Sequence, residues 1–138
     1  MKTNQIFQML AFTLIFISSF SSISQGEVSC CDTVYTYYED GESIQYKISI
    51  NSLGVQDGYF YKYYQSGGLE MRMSYKNGEI DGFSEKWNED GVKVREVQYV
   101  EGLKHGDYKV FNDDGSLKTH WIFDLGKYVE TKYGESPN

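Results

Sequence analysis

Residues recur along this chain at intervals of 24, and that repeat limits the fold more than any other feature of the sequence. The pairs Asp57-Gly58, Asp81-Gly82 and His105-Gly106 keep the interval. Two glycine columns keep it as well, Gly67, Gly91 and Gly115 and then Gly78, Gly102 and Gly126, as do two aromatic columns, Tyr63, Trp87 and Phe111 and then Tyr75, Tyr99 and Phe123. A repeat of this length predicts stacked copies of one small unit that bury a common face.

Each unit has the composition of a β-hairpin. Aromatic and β-branched residues fill segments such as 59–65 and 69–75, and glycine-containing stretches separate them, as is typical of strands and their turns. Glycine accepts the positive φ that such turns need. The predicted turns lie at 66–68, 89–91 and 113–115, and Asn77-Gly78 and Glu101-Gly102 lead into the next unit.

The second strand of each unit alternates between two kinds of side chain. Leu69, Met71, Met73 and Tyr75 alternate with Glu70, Arg72 and Ser74, and Leu117, Trp121 and Phe123 alternate with Lys118, His120 and Ile122. Because neighbouring side chains on a strand point to opposite faces, the first set is predicted to share one buried face. We therefore predict an all-β fold, an elongated single twisted antiparallel sheet of stacked β-hairpin repeats.

The first 24 residues have the layout of a secretory signal peptide. Lys2 precedes a mostly apolar run over 6–20, and Ser22 and Ser24 fit the small-residue positions of a cleavage site before Gln25. The run is shorter than the roughly 20 residues that span a bilayer, so cleavage is favoured over a retained anchor. We predict that the protein is exported and is periplasmic or secreted.

The only cysteines, Cys30 and Cys31, are adjacent and lie in a predicted N-terminal tail, residues 25–34. An ordinary tail is the favoured interpretation, and the alternatives are disulfides within or between chains, lipid attachment at Cys30 and a redox role. Residues 27–29 carry a charge where a lipidation signal would have Leu. Membrane association is therefore expected only if Cys30 is lipidated or the signal is retained.

The repeat array is predicted over residues 35–133, followed by a C-terminal tail, 134–138. Its units lie near 35–56, 57–80, 81–104 and 105–128. Gly41 precedes Gly67 by 26 residues rather than 24, so two residues are inserted in the second half of the first unit. Terminal units of repeat arrays are often irregular because they cap the array.

Two segments, Tyr75–Gly82 and Tyr99–Gly106, carry a resemblance to the MORN-repeat family, and more closely to the variant repeats of bacterial YwqK-type antitoxins. The resemblance covers most of the array and implies a single twisted antiparallel sheet of stacked hairpins. Members of the family serve as scaffolds, binding modules or membrane-proximal tethers. Ser84 departs from the pattern, because the other units have Phe60 and Tyr108 there, and the middle unit is expected to pack more thinly.

No residue pattern points to an enzyme, a cofactor or a metal site. His105 occupies the slot of Asp57 and Asp81 and is predicted to be a turn residue, and His120 has the outward parity of its strand. The acidic pairs at 39–40, 89–90 and 113–114 fit turns, where Asp side chains bond nearby backbone. Calcium binding there is the alternative, but no calcium-loop motif is matched. The net charge of −7 argues against nucleic acid as a partner.

The segment 59–64 has aromatic residues on both faces, unlike 83–88 and 107–112. A single core can bury the rings at only one set of alternate positions. Either Tyr61 with Tyr63 or Phe60 with Tyr64 is therefore not needed for that core. Either the first unit folds over the second face, or the excess rings form an exposed platform for a protein or glycan. The candidate binding residues are Tyr59, Tyr61, Tyr63 and Tyr64.

These observations predict a non-enzymatic protein-binding or scaffold module that acts through its sheet surface or an edge strand. The alternative is a YwqK-like antitoxin or immunity protein that neutralises a partner toxin. Antitoxins act in the cytoplasm, and the export signal therefore favours the first hypothesis.

Overall fold

Nine β-strands follow one another as antiparallel hairpins in a computed structural model that describes residues 32–137. Their order in the sheet is their order in the sequence, and the prediction of an all-β single antiparallel sheet is confirmed. The strands are β1 (Asp32–Tyr37), β2 (Ile44–Ile50), β3 (Gln56–Tyr63), β4 (Leu69–Lys76), β5 (Glu79–Trp87), β6 (Lys93–Val100), β7 (Leu103–Phe111), β8 (Leu117–Asp124) and β9 (Lys127–Tyr133). The predicted signal peptide and the Cys30-Cys31 pair lie outside the described residues and stay predictions.

Two kinds of turn alternate along the array. In the longer turn the Asn88 N–H donates to the Val92 carbonyl and the Gly91 N–H donates back to the Asn88 carbonyl, both at 3.0 Å. The shorter turn has positive φ at both residues, 51° at Asn77 and 88° at Gly78. This two-residue geometry matches the right-handed twist of the flanking strands.

The shorter turn also bonds back to the start of the hairpin that it follows. The Gly78 N–H donates to the Gln56 carbonyl at 2.8 Å. The same bond recurs from Gly102 to Ile80 and from Gly126 to Lys104. Each turn therefore bonds to the strand paired with the one that leads into it, and the 24-residue interval repeats that bond.

The first unit is irregular in its turns. Its β1–β2 connection is closed by a hydrogen bond from the Tyr38 N–H to the Ser43 carbonyl. It is one residue longer than the β3–β4 connection, which is closed from the Tyr64 N–H to the Gly68 carbonyl. Its β2–β3 connection closes from Asn51 to Val55, where the later units have the two-residue turn. One extra residue in each connection accounts for the interval of 26.

The Asp/His-Gly pairs lie inside strands, and the prediction that His105 is a turn residue is wrong. His105 belongs to β7, and Asp57 and Asp81 belong to β3 and β5. Pairing between β4 and β5 shifts register at this point, and Gly82 has a φ of 106°. The pairs therefore form β-bulges, where glycine supplies the positive φ that turns also require.

Each of these bulge glycines faces an aromatic ring across the sheet. Gly58 pairs with Tyr75, Gly82 with Tyr99 and Gly106 with Phe123. A β-carbon at Gly82 would lie 2.9 Å from Ser74 Oγ, so no other residue fits without movement. A ring opposite a strand glycine covers backbone that has no side chain of its own, and this pairing explains why the two columns repeat together.

The register divides the side chains between two faces. We define the core face by the cross-strand row Ile48, Phe60, Met73, Ser84, Val97, Tyr108 and Trp121. Its rings form two clusters, with centroids 5.6 Å apart for Tyr46 and Phe60 and 5.1 Å apart for Tyr108 and Trp121. Between the clusters Ser84 is buried, and Val97 is only 2% exposed.

We define the outer face by the adjacent row Lys47, Tyr61, Arg72, Glu85, Glu96, Lys109 and His120. The predicted alternation places Met71, Met73 and Tyr75 together on the core face. Leu69 does not follow the predicted alternation. It pairs with Tyr63 beyond a register shift, and its side chain therefore lies on the outer face with the Tyr63 ring.

Candidate binding surface

Three of the four candidate tyrosines form a continuous row on the outer face. Tyr59, Tyr61 and Tyr63 lie at alternate positions of β3, with ring centroids 5.9 Å apart for the first two and 6.4 Å apart for the second two. The Lys47 ammonium lies 5.6 Å from the centre of the Tyr61 ring, within cation–π range. We call these three residues the tyrosine ladder.

Tyr64 does not belong to this row. Its hydroxyl donates to the Trp87 carbonyl at 2.8 Å, and burial raises its pKa. Phe60, the other ring of its parity, packs between Tyr46 and Tyr75 on the core face. The structure therefore separates the predicted set: the core uses Phe60 and Tyr64, and the excess aromatic residues are those of the tyrosine ladder.

No described element covers the tyrosine ladder. β1 and β2 continue the sheet beside β3, so the alternative in which the first unit folds over the second face is wrong for residues 32–56. Tyr35 pairs with Lys47, which pairs with Tyr61. Within the ladder Tyr59 is exposed, whereas Tyr61 and Tyr63 are half-buried. Tyr35, Tyr37 and Phe83 are exposed large side chains, and they extend the aromatic surface beyond the ladder.

The same face becomes ionic from β4 onward. Glu85, whose side chain is only 8% exposed, accepts hydrogen bonds from Arg72 Nε at 2.8 Å and from Lys93 Nζ at 2.5 Å. Both cations also lie within 6 Å of the Trp87 ring centre. Burial of the Glu85 carboxyl opposes its ionisation, but the bonds from Lys93 and Arg72 outweigh burial and lower its pKa.

This ionic network continues across the remaining strands. Lys93 Nζ also reaches Glu96 at 2.9 Å, and Lys109 Nζ lies 3.1 Å from Asp107. His120 Nε2 lies 2.7 Å from Asp107 Oδ1, and this bond from His120 lowers the pKa of Asp107. The sequence alone does not predict this network, because the ion pairs depend on which residues face each other across the strands. The β-bulges determine that register.

Two further titratable groups lie beside polar partners. His105 Nδ1 lies 3.2 Å from Asp124 Oδ1, without the geometry of a hydrogen bond. In the β1–β2 turn the backbone N–H groups of Ser43 and Glu42 lower the pKa of Asp40 to about 2, which fits the predicted turn role of that acid. Among residues 32–137, no group of three or more His, Cys, Asp or Glu side chains could hold a metal ion.

The core face contains a cleft of about 470 Å³ near the longer turns. Tyr64 and Tyr108 contribute aromatic walls, and Val94 and Val110 contribute apolar surface. Two cationic side chains, Lys86 and Arg95, also line it. The cleft and the tyrosine ladder therefore lie on opposite faces of the sheet.

No protein-family model matches the sequence, and no curated protein or solved structure matches it at a significant level. The resemblance to MORN repeats therefore stays a prediction from the residues. Within the described range no helix has the length and apolar character needed to cross a membrane.

Proposed function

We propose that this is an exported, non-enzymatic binding or scaffold module whose open sheet recruits a protein or glycan partner through the tyrosine ladder. The supporting observation is that three tyrosines at alternate positions of β3 lie in a row on one face, and no second layer of the described chain covers that face. Export rests on the signal-like N-terminus alone.

The physical case is that the ladder contributes little to folding where it lies. The hydrophobic residues buried most completely, Val97 and Phe123, are both on the core face. Tyrosine supplies a large contact area with only two rotatable side-chain bonds and a hydroxyl that can hydrogen-bond a partner. Contiguous exposed aromatic surface is typical of interaction sites.

A catalytic alternative has less support in the described residues. The two histidines face carboxylates at distances of ion pairs, 2.7 Å for His120 and 3.2 Å for His105. No Ser, Thr or Cys nucleophile hydrogen-bonds either imidazole in residues 32–137, although nucleophilic catalysis needs a base within such reach. We therefore favour binding over chemistry.

Site-specific photo-cross-linking tests the proposal. A benzoylphenylalanine in place of Tyr61, in the full chain expressed in the cells that produce it, should give one discrete cross-linked species. The same group in place of Leu53, a turn residue that is 85% exposed, should not. Equal cross-linking from both positions, or none from position 61, would contradict a site at the ladder.

The identity of the cross-linked species separates the two sequence-based hypotheses. A stoichiometric protein that is toxic when expressed alone would favour the antitoxin or immunity alternative. An envelope protein or a polysaccharide would favour a scaffold.

A further inference from the structure

Two pairs of like charges lie directly opposite each other between β5 and β6. Glu85 pairs with Glu96 on the outer face, and the next residues, Lys86 and Arg95, pair on the core face. Like charges in such positions repel each other. On the outer face the chain supplies its own counter-ion, because Lys93 Nζ lies 2.5 Å from Glu85 and 2.9 Å from Glu96.

The core-face pair has no equivalent counter-ion. The carboxylate nearest to Lys86 belongs to Glu70, 3.8 Å away, and Lys62 already holds that carboxylate at 2.8 Å. Among residues 32–137, Arg95 has no carboxylate within the 4.0 Å of a salt bridge. One acidic side chain is therefore shared by two lysines, and the guanidinium has no carboxylate partner in the described part of the chain.

Lys86 and Arg95 both line the cleft on the core face. Val110, the other cross-strand partner of Arg95, and Tyr108 line the cleft beside them. Tyr64 is held in place by its hydrogen bond to the Trp87 carbonyl. Asp113 also reaches the cleft, but its Oδ1 faces the Asn88 side-chain amide at 3.5 Å. The site thus combines an unmatched positive pair with an apolar and aromatic wall.

We propose that this cleft binds an acidic peptide segment, with a carboxylate between Lys86 and Arg95 and an adjacent apolar side chain against Val110 and Tyr108. The forked guanidinium matches a carboxylate with two parallel hydrogen bonds. The cleft is shallow and open, and its volume of about 470 Å³ suits a segment of a few residues that lies along the surface. A long polyanion is disfavoured by the net charge of −7 on the whole chain.

The probe is the tripeptide acetyl-Leu-Glu-Leu-amide, titrated into the isotope-labelled protein and followed by amide NMR. Saturable shifts are expected at Val94 and Val110, and acetyl-Leu-Gln-Leu-amide should bind at least tenfold more weakly. Arg95→Gln should weaken binding of the acidic peptide by a similar factor, whereas Lys132→Gln, which removes the same charge from β9, should not. Lys86→Gln is the second variant if Arg95→Gln loses its dispersed spectrum.

Two results would overturn the proposal. The first is the absence of saturable shifts around the cleft in the wild-type protein. The second is equal binding of inorganic phosphate at the same amides, which would make the cleft a general anion site. Neither result bears on the tyrosine ladder, because the ladder lies on the other face and is tested by its own cross-link.

Discussion

Equivalent positions on the outer face have different chemistry in the two halves of the sheet. Tyr61, Glu85 and Lys109 occupy the equivalent position of three successive units, 24 residues apart. The first belongs to an uncovered aromatic row, and the other two belong to an ionic network. The ring column of the core face, Tyr75, Tyr99 and Phe123, is kept throughout, and so is the outer-face ring at Tyr63, Trp87 and Phe111. The repeat therefore keeps a ring on each face and leaves the outer position of Tyr61 free to vary.

Removing the central carboxylate of the ionic half should have the largest effect. Glu85→Gln leaves the charges of Arg72 and Lys93 without their buried partner, and we expect the free energy of unfolding to fall by about 2–3 kcal/mol. Urea denaturation at pH 7 measures it. The matched control is Glu130→Gln, which removes the same charge from a half-exposed pair with Lys132 and should cost less than about 0.5 kcal/mol. Equal losses in both variants would show that the ionic half is as replaceable as a surface pair.

Acidification should lower the free energy of unfolding by less than the Glu85→Gln substitution does. The pKa of Glu85 lies below its ordinary 4.5, so the carboxylate contributes stability above that pH and loses it as the pH falls through the folded-state value. The free energy of unfolding should therefore decline below about pH 4.5, and decline less steeply in Glu85→Gln. Denaturation of both proteins between pH 6 and pH 3 compares the slopes. Parallel curves would mean that other carboxyls, such as Asp107, dominate the acid response.

Truncation in the aromatic half should have the smallest effect. Tyr61→Ala removes two ring contacts from a face that nothing described covers, and we expect a loss of about 1 kcal/mol or less. The same urea experiment measures it. A loss above about 2 kcal/mol would place Tyr61 in the folding core and remove the contrast between the halves.

The sequence predicts much of this fold because its signals are local. Glycines at 67, 91 and 115 mark turns, and the alternation from Met71 to Tyr75 marks a strand with one apolar face. Both follow from the conformational freedom of glycine and the two-residue period of a strand. Those rules gave the all-β hairpin architecture without any information from elsewhere in the chain.

The same rules could not locate the bulges, and the predictions that the structure contradicts depend on them. Asp81-Gly82 reads as a turn because bulges and turns both use glycine at positive φ. Each bulge also changes which residues face each other, so the pairing of Glu85 with Glu96, or of Leu69 with Tyr63, was beyond prediction. The segment 59–64 could be recognised from the sequence as having rings on both faces, but assigning Phe60 and Tyr64 to the core face needed the register.

The hydrogen bond from each short turn to the start of the hairpin before it has a consequence for the size of the protein. Because the Gly78-to-Gln56 bond recurs as Gly102 to Ile80 and Gly126 to Lys104, a further copy of the unit would meet the same donor and acceptor as the existing ones. Duplication or loss of one unit would therefore lengthen or shorten the sheet by two strands, about 10 Å, without disturbing the rest. Such a chain is an adjustable spacer, and the distance between groups held at its two ends can change in whole steps by a single genetic event.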